Sequence, residues 1–228
     1  MEHDNLPAGT RETILRRARE LFLAQGYHKT SMRAIARTAG ISTGPLYFHF
    51  QNKAEVFYHI CRDAGERLVA DFRQAASGSG HAGIRLRSIY RAYRDFYYRE
   101  PELFEILHLA TNPRAGVDLP QSLRDDLDRN FGEMLLIMED IIREGISAGE
   151  LRPVEPRHLA LYLYSLAEGV FMANQTGVLR RSGTSLDEMI EAAIGLTGVG
   201  MVNLPAAWAD GDRGCLSPDK KNGGHNHD

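Results

Sequence analysis

Apolar residues return along this chain at intervals of three and four almost throughout, the repeat of a helix and not of a strand. From Thr10 the stripe is Ile14, Ala18, Leu21 and Phe22, closed by Gly26. A short helix follows over Met32 to Ala39, with Ile35, Ala36 and Ala39 on one face. Ser31 is placed to cap its start, and Gly40 is free to take the left-handed conformation at its end. Ile41 is the apolar residue of the turn. Ser42 and Thr43 are expected to cap a second short helix, whose first turn tolerates Pro45 because the N–H groups there lack intrahelical partners. In that helix Leu46 and Phe50 stand four apart and face inward, and Phe48 is expected in the core with them. Asn52 and Glu55 form a capping pair. They open a long helix bearing Val56, Phe57, Ile60, Cys61, Ala64, Leu68 and Phe72, which reaches the Gly78-Ser79-Gly80 break and carries the chain from the head into the body.

The remaining stripes predict five more helices. Ile84, Ile89, Tyr93, Phe96 and Tyr97 precede Pro101, and Leu103, Phe104, Leu107 and Ala110 precede Asn112-Pro113. After a Pro/Gly loop come Leu123, Leu127, Phe131, Met134, Met138, Ile141 and Ile142, ending near Gly149. Leu159, Leu163, Leu166, Val170 and Phe171 mark a helix over 156–179. Thr184 or Ser185 caps a last one over 185–202, with Asp187 and Glu188 at its positive end. The fold class is therefore all-α with about nine helices. Residues 1–53 form a three-helix head, 54–204 a helical bundle, and the polar stretch 205–228 is expected to be a disordered tail.

At 228 residues and 43% hydrophobic the chain can bury a substantial core. Its formal charge of −3 hides an asymmetry, because the first 53 residues carry eight Lys/Arg against four acids, leaving −7 for the rest. A basic head on an acidic body suits docking on phosphate through one end. Cys61 and Cys215 make no disulfide framework and are expected to be reduced. The absence of an apolar leader and of any run near 18 apolar residues points to a soluble cytoplasmic protein. Gly78-x-Gly80-x-x-Gly83 matches a dinucleotide-binding pattern, but a helix precedes it where that chemistry needs a strand. His225 and His227 are read as solvated tail residues. With no zinc-protease, nucleophile-elbow or Cys-x-x-Cys pattern, neither catalytic residues, a metal nor a cofactor is expected.

Two short helices about a glycine turn, the second with outward aromatic and polar groups, read as a helix-turn-helix. The stretch resembles the DNA-binding region of the TetR (tetracycline-repressor) family of bacterial regulators over roughly residues 10–60. The matching features are Ile35-Ala36, Ala39-Gly40-Ile41-Ser42, Gly44, Leu46-Tyr47-Phe48-His49-Phe50 and Asn52-Lys53. From the residues themselves, Tyr47 offers a ring and a hydroxyl, His49 a phosphate contact, and Lys53 an ammonium beside helix N–H groups. Thr30 and Ser31 offer hydroxyls, and Arg33 can read a guanine through two hydrogen bonds. The resemblance implies that Tyr47, His49 and Lys53 contact the DNA backbone, and that Arg33, Thr43, Gly44 and Pro45 meet bases or nearby phosphates. Pro45 departs from the polar residue common there and cannot donate.

The resemblance further implies a homodimer paired through the last two helices, a palindromic double-stranded operator, and repression relieved by a small hydrophobic effector in the body. The candidate pocket residues are Phe104, Leu107, His108, Phe131, Met134, Met138, Tyr164, Glu168, Phe171 and Met172; each apolar one is also explicable as plain core. His108 and Glu168 are polar on apolar stretches and suit a ligand-orienting role. The alternative is a helical small-molecule-binding or enzymatic protein whose head no longer binds DNA.

Overall fold

The computed structural model describes residues 10–112 and 115–201, and the 205–228 stretch lies outside them. Ten helices and no strand occur among the described residues. The head consists of α1 (Thr10–Gln25), α2 (Met32–Ala39) and α3 (Thr43–His49), followed by the long α4 (Lys53–Ala76). The body adds α5 (Ala82–Arg99), α6 (Pro101–Thr111), α7 (Gln121–Ser147), α8 (Pro156–Gln175), α9 (Val178–Ser182) and α10 (Leu186–Met201). One helix expected over 156–179 is thus two. Thr176 closes α8 with its N–H on the Met172 carbonyl, and Gly177 turns left-handed at φ 73° before α9 begins. That is why the count is ten and not nine.

The head's ends are set by local chemistry. Ser31 Oγ accepts the Ala34 N–H at 3.2 Å, and Gly40 sits at φ 71° with its N–H on the Arg37 carbonyl. Asn52 Oδ1 accepts the Glu55 N–H at 2.9 Å, so the expected cap forms, and Glu55 Oε2 reaches back one residue further, accepting the Gln51 N–H at 2.6 Å. Ser42, by contrast, makes no side-chain cap bond to α3. Asn52→Ala should lower thermal stability by about 1 kcal/mol, the usual worth of such a cap, with helical content retained. An unchanged melting temperature would show that α4 needs no help from the cap.

Packing of α4 joins the two halves. Its first turns bury Val56, Phe57 and Ile60, and Phe57 meets Phe22 and Tyr27 edge to face, both at 5.3 Å between ring centres. Its later turns bury Ala64, Leu68 and Phe72 among α5, α6 and α7. The body's centre is aromatic: Phe104 lies 5.0–5.4 Å from the rings of Tyr93, Tyr97 and Phe171. No described helix is long and apolar enough to cross a membrane.

Candidate DNA-binding surface and ligand cavity

In α3 a step of 100° per residue sends Leu46 inward, and it is buried, as is Phe50, the extended residue that closes the helix. Tyr47 is then 53% exposed and Phe48 79% exposed. The expectation that Phe48 is core is corrected by that geometry, since two steps from Leu46 point it away from the bundle. The position was legible from the spacing, but its apolar character masked it. Ser31, Arg33, Thr43 and Gly44 are exposed around the same helix pair, as are Arg37 and Lys29, while Pro45 is half-buried.

Three other expected contacts are placed differently. Thr30 is buried; its hydroxyl donates to the Gly26 carbonyl at 2.9 Å and accepts from Gln25 Nε2 at 3.1 Å. It therefore ties the end of α1 and is not offered outward. Lys53 Nζ is turned back onto the Tyr27 carbonyl at 2.7 Å and over the Tyr27 ring at 4.2 Å, and burial lowers its pKa. The ammonium closes the α1–α2 turn where an outward phosphate contact was expected. His49 is half-buried with Nε2 enclosed and unpartnered, so a contact outward falls to Nδ1.

A cavity of about 460 Å³ lies among α4, α6, α7 and α8 and the segment before α7. Six expected residues line it: Leu107, His108, Phe131, Met134, Tyr164 and Glu168. Phe104, Met138 and Phe171 are buried core and do not line it. Met172 is 55% exposed on the outer face of α8, one helical step beyond the buried Phe171, and is corrected to a surface residue. The wall also uses Cys61, Gly65 and Leu68 of α4 and Tyr93 of α5. Val117, Leu119, Arg124, Leu127, Asp128 and Asn130 complete much of the rest. No periodicity along one helix reveals which faces of four helices meet, so these were missed.

Part of the wall is a hydrogen-bonded polar cluster. Glu168 accepts the Tyr93 hydroxyl and lies 2.8 Å from His108 Nε2, while His108 Nδ1 lies 2.8 Å from the Phe104 carbonyl. Both ring nitrogens therefore face acceptors, an arrangement that suits the imidazolium. Burial pushes the His108 pKa down, but the hydrogen bond and charge of Glu168, with the Phe104 carbonyl, outweigh it and raise the value. Burial, with the charge of Glu168, raises the Tyr164 phenol, which stays a neutral donor. A raised folded pKa gives stability that is complete below the unfolded value of about 6.5 and lost as pH rises through the folded one. Melting curves of wild type and His108→Asn from about pH 5.5 to 8.5 should converge as pH rises. A gap constant across that range would show that His108 is held neutral.

Cys61 is buried and reduced, and burial raises its thiol pKa. Among the described residues no cluster of three metal-binding side chains occurs.

The helix-turn-helix geometry coincides with a family match. Residues 14–60 match the model of bacterial regulatory proteins of the tetR family, and residues 86–196 match that of the tetracyclin repressor-like C-terminal domain. The chain belongs to the TetR family. This TetR-family protein is 28% identical over 147 residues to the HTH-type transcriptional repressor KstR2 of Mycolicibacterium smegmatis, covering 64% of its own length and 70% of that relative's. Its fold is that of FadR from Bacillus subtilis, solved in complex with stearoyl-CoA (TM-score 0.69, 19% identity, 83% of this chain and 98% of that one). It also matches AibR, solved with isovaleryl coenzyme A and operator DNA (TM-score 0.67, 18% identity, 82% and 97%). Membership makes the TetR-family protein a bacterial helix-turn-helix transcription regulator, and α2 and α3 are that motif.

Proposed function

We propose that this regulator is a homodimeric repressor that binds an inverted-repeat operator and releases it when a small, largely apolar effector enters the body cavity. The observation that carries the reading is the pairing of an exposed Arg33-Tyr47-Phe48 face on a basic head with a body cavity walled by apolar side chains and by the His108–Glu168 pair. On DNA, α3 enters the major groove; Arg33 and the Thr43–Pro45 turn lie at base edges, and Ser31, Tyr47 and His49 lie along the backbone. Phe48 offers apolar contact to a thymine methyl.

Dimerisation is supported by the outer face of α8 and α10, where Tyr162 is 55%, Met172 55% and Leu196 77% exposed. Large apolar side chains exposed together on neighbouring helices mark an interaction surface. Two heads reading successive major grooves stand about 34–36 Å apart, which the pairing of bodies must set. Leu196→Asp should give a monomer in sedimentation at micromolar concentration and lose operator binding with it. A dimer that survives would move the interface elsewhere.

For the effector, the cavity suits an acyl group whose carbonyl accepts from Tyr164, with the chain against Leu107, Phe131 and Met134. The acyl-coenzyme A complexes of FadR and AibR support that class. The deciding experiment is selection from a randomised duplex library by the purified chain, with salt-dependent binding checked on the product. Recovery of an inverted repeat supports the reading. Recovery of nothing specific by a folded dimer overturns operator binding by the free protein.

A further inference from the structure

The segment 115–119 has two faces. On one, Val117 and Leu119 form part of the cavity wall, and Arg124 Nη2 holds the Leu119 carbonyl at 3.3 Å. On the other, Gly116 lies against the turn between α1 and α2. Its φ is +63°, and a Cβ added there would stand 2.0 Å from His28 Nε2. A side chain at 116 would have to displace the exposed His28 ring, the segment or the turn, and the left-handed φ itself favours glycine there. The turn itself is stiff. Lys53 grips the Tyr27 carbonyl, Thr30 holds that of Gly26, and Tyr27 is wedged against Phe22 and Phe57. Immediately after it comes Ser31, which caps α2.

We propose that residues 115–119 carry occupancy of the cavity to the DNA-binding head, by pressing Gly116 on His28 at the α1–α2 turn. A displacement of Gly116 meets the His28 ring before it meets the turn, so it passes to the turn through that side chain. A ligand that displaces Val117 or Leu119 shifts Gly116, and the turn with α2 and α3 follows as a body. The continuous α4 and the α1–α6 contact, with its Arg19–Glu102 ion pair at 2.7 Å, also join the halves. The test must separate the proposed route from both.

Because the route rests on the effector reading of the cavity, the first probe is a substitution that fills it. Ala110→Phe puts a ring into the cavity from α6, and hydrogen exchange of the full chain is followed by mass spectrometry at 27–31 and 115–119. Exchange should quicken about tenfold in both segments, and with His28→Ala added it should quicken at 115–119 alone. Survival of the effect at 27–31 without the His28 ring overturns the route in favour of α4 or α6. An unmoved 27–31 in the single variant, or no response at 115–119, also overturns it. Should Ala110→Phe lose its helical signal, Val117→Phe runs the same cycle from the segment itself. Coupled exchange without any change in affinity for the selected duplex would sink the effector reading and leave the mechanical route standing.

Discussion

Replacing Tyr47 and Phe48 together by alanine should lower operator affinity by about 30- to 1,000-fold while leaving fold and dimer intact. The size follows from counting heads. The two aromatic contacts of one head, to backbone and thymine methyl, are together worth about 1–2 kcal/mol, and the proposed symmetric dimer loses that sum twice, giving about 2–4 kcal/mol. Fold should survive because both rings are more than half exposed, and Leu46 and Phe50, which hold α3 to the bundle, are untouched. The check is a titration of the selected duplex at fixed salt, with circular dichroism and sedimentation alongside. A loss spread evenly over specific and random DNA would mean that the pair supplies only backbone contact. Loss of helical signal would place one of the rings in the core after all.

Phe104→Ala should cost about 3–5 kcal/mol of stability, the usual range for removing a buried phenylalanine. Phe104 is fully buried and touches the rings of Tyr93, Tyr97, His108 and Phe171, so four neighbours lose a packing surface at once. It also backs the cavity without lining it. Its ring lies 4.2 Å from that of His108, so the substitution removes an apolar support of the polar cluster while the backbone carbonyl that accepts from the imidazole stays. Urea denaturation measures the loss. If the variant stays within 1 kcal/mol of wild type, as a site that collapses readily would allow, the aromatic centre is plastic.

How much could be read in advance varied with the kind of pattern involved. Caps and turns are local, so Ser31, Gly40 and the Asn52–Glu55 pair were legible from a few residues each. Burial within one helix follows a fixed angular step, which is why Leu46 was placed correctly; Phe50, expected on the same face, is buried as the extended residue after α3. The same step would have exposed Phe48 had its position outweighed its composition. Thr30 and Lys53 failed for another reason. Their polar groups are satisfied by carbonyls that the turn brings near, and sequence alone gives no account of competing partners. The cavity was legible in part, because apolar stripes on α6, α7 and α8 point to a shared interior. Its α4 wall and Val117 and Leu119 depend on how those helices cross, which no single stripe encodes.

The seating of Phe57 between Phe22 and Tyr27 bears on how such regulators can be recombined. A boundary drawn at residue 53 would strand the aromatic lock of the head on the wrong side of the cut. Grafting a foreign reading head onto this body, or this head onto another sensor, should therefore succeed only when the junction falls beyond Ile60, midway along α4, so that Val56, Phe57 and Ile60 travel with the helix-turn-helix. A chimera joined at 53 would bring together two surfaces never selected to fit.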